Sequence, residues 1–275
     1  CQYARKQEGK HTTVPGESIS IDLKGPFKVP STSSSVWALQ IVDHSSRWVW
    51  VDFLRSKASI NTRESFKKFA ARIRRPIKHV HSDGGSEFLG HFSQHLRNNG
   101  IRQTFTTPYS SFQNAIVESR MRRLTEYTRR LMMESGLPDE FWSRAMHTAA
   151  ITMNQHPVTH DPFANGRSPD QIMFPDQKPR QLFVFGSVAY SLILPKAARL
   201  SNLKFPGKIG WFVGYADNSS GYVIFDPITR TMRTRRDVVF DENWRYSAQR
   251  PADDALSGAR DYLPANHPGF KVLDT

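Results

Sequence analysis

Residues 77–124, IKHVHSDGGSEFLGHFSQHLRNNGIRQTFTTPYSSFQNAIVESRMRRL, set the reading of the whole chain. The run opens as a short apolar strand with Ile77 and Val80, and Asp83 stands at its end before Gly84 and Gly85. A helical segment over 86–99 follows, with Phe88, Phe92 and Leu96 at every fourth position, then a second short strand over 101–105. A polar loop, TTPYSSFQN at 106–114, leads into a long basic helix over 115–135 that carries Glu118 near its start. A carboxylate at a strand end and another at a helix start can converge on one point. Forced together at low dielectric they repel by several kcal/mol, roughly, unless a cation sits between them. Mg²⁺ or Mn²⁺ suits that place, held by one or two carboxylates and by substrate phosphates. Two such ions need a third carboxylate, and Asp22 upstream supplies it.

Outward from that stretch, the N-terminal side holds three strand-like runs. SISIDL alternates, with Ile19, Ile21 and Leu23 on one face and Ser20 and Asp22 on the other. Residues 36–42 and 48–54 follow, joined by the turn signal DHSSR. Short connections predict an antiparallel meander. A helix is expected over 58–73, closed by Pro76, with Arg72, Arg74 and Arg75 at the end where cations suit the helix dipole. The order is three strands, helix, strand, helix, strand, helices, which is an α/β layer: a mixed five-stranded sheet with flanking helices. The spacing from Asp22 to Asp83 is 83 − 22 = 61 positions, and from Asp83 to Glu118 it is 118 − 83 = 35. If the first and fourth strands are neighbours, the two aspartates lie a few ångströms apart.

In the long helix, Val117, Met121, Leu124, Thr128 and Leu131 form the expected buried stripe, with most of the arginines on the remaining surface. A further helix is expected over 139–154. Residues 156–181 are proline-rich and read as a linker wrapping the surface. Residues 182–245 then read as five short strands, at 188–194, 208–215, 221–225, 231–234 and 238–240, which suit a small all-β barrel. Residues 246–275 lack periodicity and are expected to be a disordered tail.

Composition bounds the partners. The 275-residue chain has a formal net charge of +13, which favours a polyanion, and aromatic residues interleave with the arginines, so nucleic acid is the first candidate. Cys1 is the sole cysteine, so no internal disulfide is expected and a reducing compartment is the simplest reading. No apolar run reaches about 18 residues, so no membrane span is expected. The chain lacks an initiating Met and reads as a fragment of something longer.

HSDGGSEF, GIRQTFTTPY and QNAIVESRMRRLTE together resemble the integrase core of copia-type LTR retrotransposons. IDLKGPF resembles the segment around that family's first catalytic Asp, and LPDEFWSRAMHTAA its following helix. FGSVAY, GKIGWFVGY and RRDVVFDE resemble its downstream SH3-like barrel. CQYARKQEGK resembles the tail of its zinc-binding N-terminal domain over residues 1–15, with Cys1 as the last ligand of a Zn²⁺ whose other ligands lie in the missing part. The resemblance implies an RNase H-like core at 16–155, a linker at 156–181, and an SH3-like barrel at 182–245. It implies Asp22, Asp83 and Glu118 as the triad holding two Mg²⁺ or Mn²⁺ ions, and DNA 3′-end processing and strand transfer as the activity. Tyr109, Gln113 and Asn114 would touch the DNA end, and Arg120, Arg122 and Arg123 would meet phosphates. It further implies a homo-multimer on DNA, acting in the nucleus after a cytoplasmic particle stage. Gly84 stands where the family usually has Asn, and the loop PYSSFQNAIVES departs from the usual PYTPQQNGVVER. Two alternatives remain at this level. One is a catalytically silent DNA-binding or scaffold protein derived from such an integrase, and the other is an RNase H-type nuclease.

Overall fold

A computed structural model describes residues 14–105, 115–157, 164–192, 207–217 and 220–246. Cys1, Tyr109, Gln113 and Asn114, and the tail after residue 246, therefore lie outside the described residues. The chain packs as two compact units, one of residues 1–128 with 149–179 and the other of residues 129–148 with 180–275.

The first unit is built on a five-stranded sheet. Its strands are β1 (Ser18–Lys24), β2 (Trp37–Asp43), β3 (Val49–Leu54), β4 (His79–Ser82) and β5 (Arg102–Phe105), in the order β3-β2-β1-β4-β5. β1, β2 and β3 form the expected antiparallel meander, while β4 lies parallel to β1 and β5 parallel to β4. Alternation along β1 divides the sheet into two faces. Ile19 and Ile21, with Leu39, Ile41 and Val80, face a core completed by Phe66, Phe69 and Ile73 of α1 (Ser59–Ile73) and Phe92 and Leu96 of α2 (His91–Asn98). The opposite face carries Ser18, Ser20, Asp22, Lys24, Gln40, His79 and His81. The same face also carries the buried Ala38, Val42 and Val51, so its polar residues gather towards β1 and β4.

The helix expected over 86–99 is broken. Ser86–Phe88 forms a 3-10 turn, and α2 starts only after Gly90, whose φ of +55° is open to glycine at little cost. Phe88, Phe92 and Leu96 are nonetheless all buried. α3 (Ala115–Ser135) covers the length expected for the long helix. It crosses the polar face of the sheet, where Lys24 Nζ donates to Thr125 Oγ1 at 3.0 Å. Its buried row differs from the expected one: Arg120, Leu124 and Thr128 are buried, and Met121 is only half-buried. An i, i+4, i+8 row containing arginine is possible because the aliphatic stem of Arg120 packs like an apolar chain. After a 3-10 turn at Asp139–Phe141 comes α4 (Trp142–Gln155).

Within the stretch read as a linker, Pro169–Met173 forms a short helix, α5, started by a Ser168–Gln171 capping box with Pro169 at its first turn. Met173 is fully buried in the core of the first unit, and Trp48 Nε1 donates to Asp170 Oδ1 at 2.8 Å. This segment is packed structure, which its proline content concealed.

The second unit holds a five-stranded antiparallel sheet in the order β10-β6-β7-β8-β9. Its strands are β6 (Ser187–Leu192), β7 (Gly207–Tyr215), β8 (Tyr222–Asp226), β9 (Thr231–Arg235) and β10 (Val238–Arg245). Val188, Tyr190, Trp211, Val213, Val223 and Phe225 form its core with Leu137, Phe141 and Ala145. Gly210 is required in β7, because a Cβ there would lie 2.5 Å from Ile224 Cγ2 and 2.7 Å from the Phe225 carbonyl.

Candidate active site

The site is assembled by register. In the β1–β4 ladder Ser18, Ile19 and Ser20 pair with His79, Val80 and His81, an offset of 79 − 18 = 61. The last pair of the ladder is Ser20 with His81; continued two residues past it, the same offset aligns Asp83, just beyond the end of β4, with Asp22. Neighbouring strands are about 4.8 Å apart, so the two carboxylates share one end of the parallel pair. Across β1 on its other side, Asp22 pairs with Gln40, and Gln40 in turn pairs with Val51. Val51, Gln40 and Asp22 thus form one transverse row over β3, β2 and β1, with which Asp83 aligns just past the end of β4.

The electrostatics fit that placement. Burial pushes the Asp22 carboxyl above its usual range, and the charge of Asp83 pushes it further, with a smaller push from Glu87. A hydrogen bond with the Leu23 backbone and the charge of Lys24 act the other way. Asp83 is exposed, and its Oδ1 accepts from the Gly85 N–H at 3.0 Å. The carboxylate of Glu87 folds back over Gly85 so closely that a Cβ at position 85 would lie 2.7 Å from Glu87 Cδ. Asp43, another buried acid with a raised pKa, is committed to a turn, where it accepts from Gly16 N, Ser46 N and Ser46 Oγ.

Glu118 is exposed in the first turns of α3. Its charge opposes the effect of burial on the His81 imidazole, which is held below its usual range. That puts Glu118 over β4, on the face that carries Asp22 and Asp83. Among the described residues no three His, Cys, Asp or Glu side chains are gathered closely enough to hold one ion. The structure therefore brings Asp22, Asp83 and Glu87 into electrostatic contact, and places Glu118 near enough to His81 for its charge to act there.

Beneath α3 a polar network spans β1, β4 and β5. His79 Nδ1 lies 3.0 Å from Ser18 Oγ, and its Nε2 lies 2.7 Å from Thr104 Oγ1. His81 Nδ1 is 3.0 Å from the same threonine, and His44 Nε2 is 2.7 Å from Ser20 Oγ. Burial depresses His79, with smaller pushes from His81 and Arg102.

Of the three α3 arginines expected to meet phosphates, Arg122 and Arg123 are exposed, and Arg122 lies 4.0 Å from Glu126. Arg120 is turned inward, 7% exposed, with its Nη2 donating to the Met153 carbonyl at 3.4 Å and its Nε without a partner. Burial, then Arg123 and Arg47, lower its pKa to about 10. Sequence reasoning passed over Glu87, Gln40 and His81. A glutamate just past the glycine pair and a lone glutamine inside the apolar strand WALQIVD were the available signals.

Comparison with known proteins shows what the chain is similar to. The integrase core domain family matches residues 12–111, and the retroviral polymerase SH3-like domain family matches residues 187–254. The first match falls on the mixed sheet of the first unit and the second on the antiparallel sheet of the second unit. Among individual proteins, it is similar to the retrovirus-related Pol polyprotein from transposon TNT 1-94 of Nicotiana tabacum, 29% identical over 257 residues, 88% of this chain and 19% of that protein. It is also similar to the transposon Ty1-DR4 Gag-Pol polyprotein of Saccharomyces cerevisiae, 24% identical over 145 residues, 51% of this chain and 9% of that one. The chain spans less than a fifth of the length of either polyprotein. Among solved structures, a chain of the simian T-cell lymphotropic virus intasome in complex with PP2A regulatory subunit B56 gamma shares the fold. Its TM-score is 0.50 at 16% identity, covering 82% of this chain and 78% of that one. The described residues include no helix long and apolar enough to cross a membrane.

Proposed function

We propose that this chain is the integrase segment of a retrotransposon polyprotein, performing metal-dependent 3′-end processing and DNA strand transfer. The observation that supports the proposal is that Asp22, on β1, is held above its usual range by burial and by the charge of Asp83, which follows the parallel neighbour β4. A hard divalent cation suits this donor set, because binding it would relieve the repulsion that the apo site bears. Mg²⁺ or Mn²⁺ held there would supply charge neutralisation and Lewis acidity for displacement at a phosphodiester.

The residues divide the work. Asp22, the more buried of the two aspartates, would hold such ions together with Asp83 and Glu118. In end processing, a water oxygen bonds to phosphorus and the 3′-oxygen leaves as a hydroxyl. In strand transfer, that hydroxyl bonds to phosphorus of the target strand, displacing the target's own 3′-oxygen. Arg122 and Arg123 contact phosphates and fix the duplex without reading sequence. Tyr109, Gln113 and Asn114 touch the DNA end. A zinc-binding domain preceding Cys1, a homo-multimer on DNA and nuclear action after a cytoplasmic particle stage belong to the same proposal. A second reading, a metal-independent DNA-binding scaffold, draws on the lack of any close group of three His, Cys, Asp or Glu side chains among the described residues.

Disintegration of a branched DNA substrate tests the proposal, since it needs only the core chemistry. With Mn²⁺ the chain should resolve the substrate, and Asp83→Asn should abolish resolution while leaving DNA binding intact. Resolution undiminished by Asp83→Asn removes the aspartate pair from the mechanism, and DNA binding without resolution by the wild type favours the scaffold.

A further inference from the structure

Gln40 is a polar residue in an apolar strand. It sits at the centre of β2, 1% exposed, between Leu39 and Ile41, both of which face the core. Alternation turns Gln40 to the opposite face, the face of Asp22. Its side-chain Nε2 is buried and has no hydrogen-bond partner among the described residues. A buried amide donor left unsatisfied costs roughly what a lost hydrogen bond costs, so the chain bears a penalty at this position.

The register shows which group can relieve it. On one side Gln40 pairs with Val51, and its same-face neighbours along β2 are Ala38 and Val42, so these positions offer no acceptor side chain. On the other side it pairs with Asp22. Residues directly opposite in an antiparallel pair have Cβ atoms about 4.5–5.5 Å apart, within reach of a glutamine amide and a carboxylate after rotation of their terminal torsions. Asp22 has two carboxylate oxygens, and a metal ion engaging from the Asp83 side leaves acceptor capacity facing β2.

We infer that Gln40 is a positioning residue for Asp22: its side-chain amide donates to the Asp22 carboxylate when a divalent ion is bound, fixing the orientation in which Asp22 meets the ion. The inference rests on the reading of Asp22 as a metal ligand. Hydrogen bonds to a ligating carboxylate from residues behind it tune metal affinity, and their loss costs about 10–100-fold in metal affinity or activity. Val51 and Asp83 flank the Gln40–Asp22 pair, so the row runs from an apolar wall through a donor to the two ligands.

The test separates affinity from stability. Gln40→Met keeps the length of the side chain and removes the amide. Mn²⁺ binding is measured by calorimetry on the full chain, and thermal unfolding is measured without metal. The expected result is a metal-free Tm equal to or above wild type, because an unsatisfied donor has been removed, together with a Mn²⁺ Kd weakened about 10-fold. Gln40→Asn withdraws the amide by one methylene and should weaken Mn²⁺ binding as well. A Kd within about twofold of wild type in Gln40→Met overturns the inference, as does a Tm loss that accounts for the weakened binding. Failure of both variants to fold would assign Gln40 to the fold and overturn it too. Asp22→Asn distinguishes the two levels. If it abolishes Mn²⁺ binding while Gln40→Met does not, Gln40 alone is refuted; a wild-type chain that takes up no Mn²⁺ refutes the metal reading and the Gln40 inference together.

Discussion

Replacing Arg120 by methionine should stabilise the protein, although it removes a charge and a hydrogen bond. The guanidinium is buried, its Nε has no partner among the described residues, and the charged groups acting on it include Arg123 and Arg47. Its pKa falls from 12.5 to about 10. At about 1.4 kcal/mol per pH unit, that drop corresponds to roughly 3 kcal/mol of unfavourable interaction carried by the cation. The sign follows from the direction. A base with a depressed folded pKa destabilises the fold wherever it is charged, so the penalty is complete at pH 7 and is relieved only as pH rises through about 10. Against this stands the contact with the Met153 carbonyl, at 3.4 Å too long to be worth more than about 1 kcal/mol. Methionine retains the stem that fills the row with Leu124 and Thr128. The balance is a gain of about 2 kcal/mol, or a rise in Tm of about 4–8 °C for a chain of this size. Thermal unfolding at pH 7 reads it. A fall in Tm for Arg120→Met would refute the reasoning, and would mean that the guanidinium is satisfied in solution.

Other consequences are accessible to the same means. Gly85→Ala should displace the Glu87 carboxylate that lies over position 85 and weaken Mn²⁺ binding, with little change in the metal-free Tm; equal affinity would show that Glu87 has no part in the site. Burial lowers His79 below its ordinary value of 6.5, so the unfolded chain takes up the proton first and stability should fall as pH drops below about 6.5. His79→Asn should flatten that slope in urea titrations between pH 5 and 7, and an unchanged slope would place the loss elsewhere. Asp170→Ala removes the acceptor of Trp48 Nε1 and should cost about 1–2 kcal/mol, read as a lower urea midpoint. Arg122→Ala and Arg123→Ala should each lower DNA affinity and reduce the salt dependence of binding by about one in slope, whereas a surface uninvolved in phosphate contact would leave the slope unchanged.

The sheet was legible because its signals are local. Alternation in SISIDL, the DHSSR turn and the apolar run before Asp83 each decide a strand without help from the rest of the chain. The 61-position interval acquired meaning only once β1 and β4 proved to be parallel neighbours with that same offset. Other features escaped because tertiary packing decides them. Arg120 entered the buried row of α3 in place of Met121, since a long aliphatic stem can pack where its head group is ill placed. Met173 and Phe174 anchor a proline-rich segment to the core, which composition alone reads as a linker. Gly90 breaks a helix whose apolar spacing continues across the break. Gln40 shows no role in sequence, and becomes informative only when its register partner is Asp22 and its amide is found unsatisfied.

The central claim is that Asp22, Asp83 and Glu118 hold divalent ions together. Anomalous diffraction from crystals of the full chain soaked in Mn²⁺ addresses it directly. Density bridging the carboxylates of Asp22 and Asp83 at about 2.0–2.3 Å, with α3 brought in so that Glu118 completes the coordination, is the predicted result. Saturating Mn²⁺ that leaves this end of β1 and β4 empty, or an ion held there without Asp22, would contradict it.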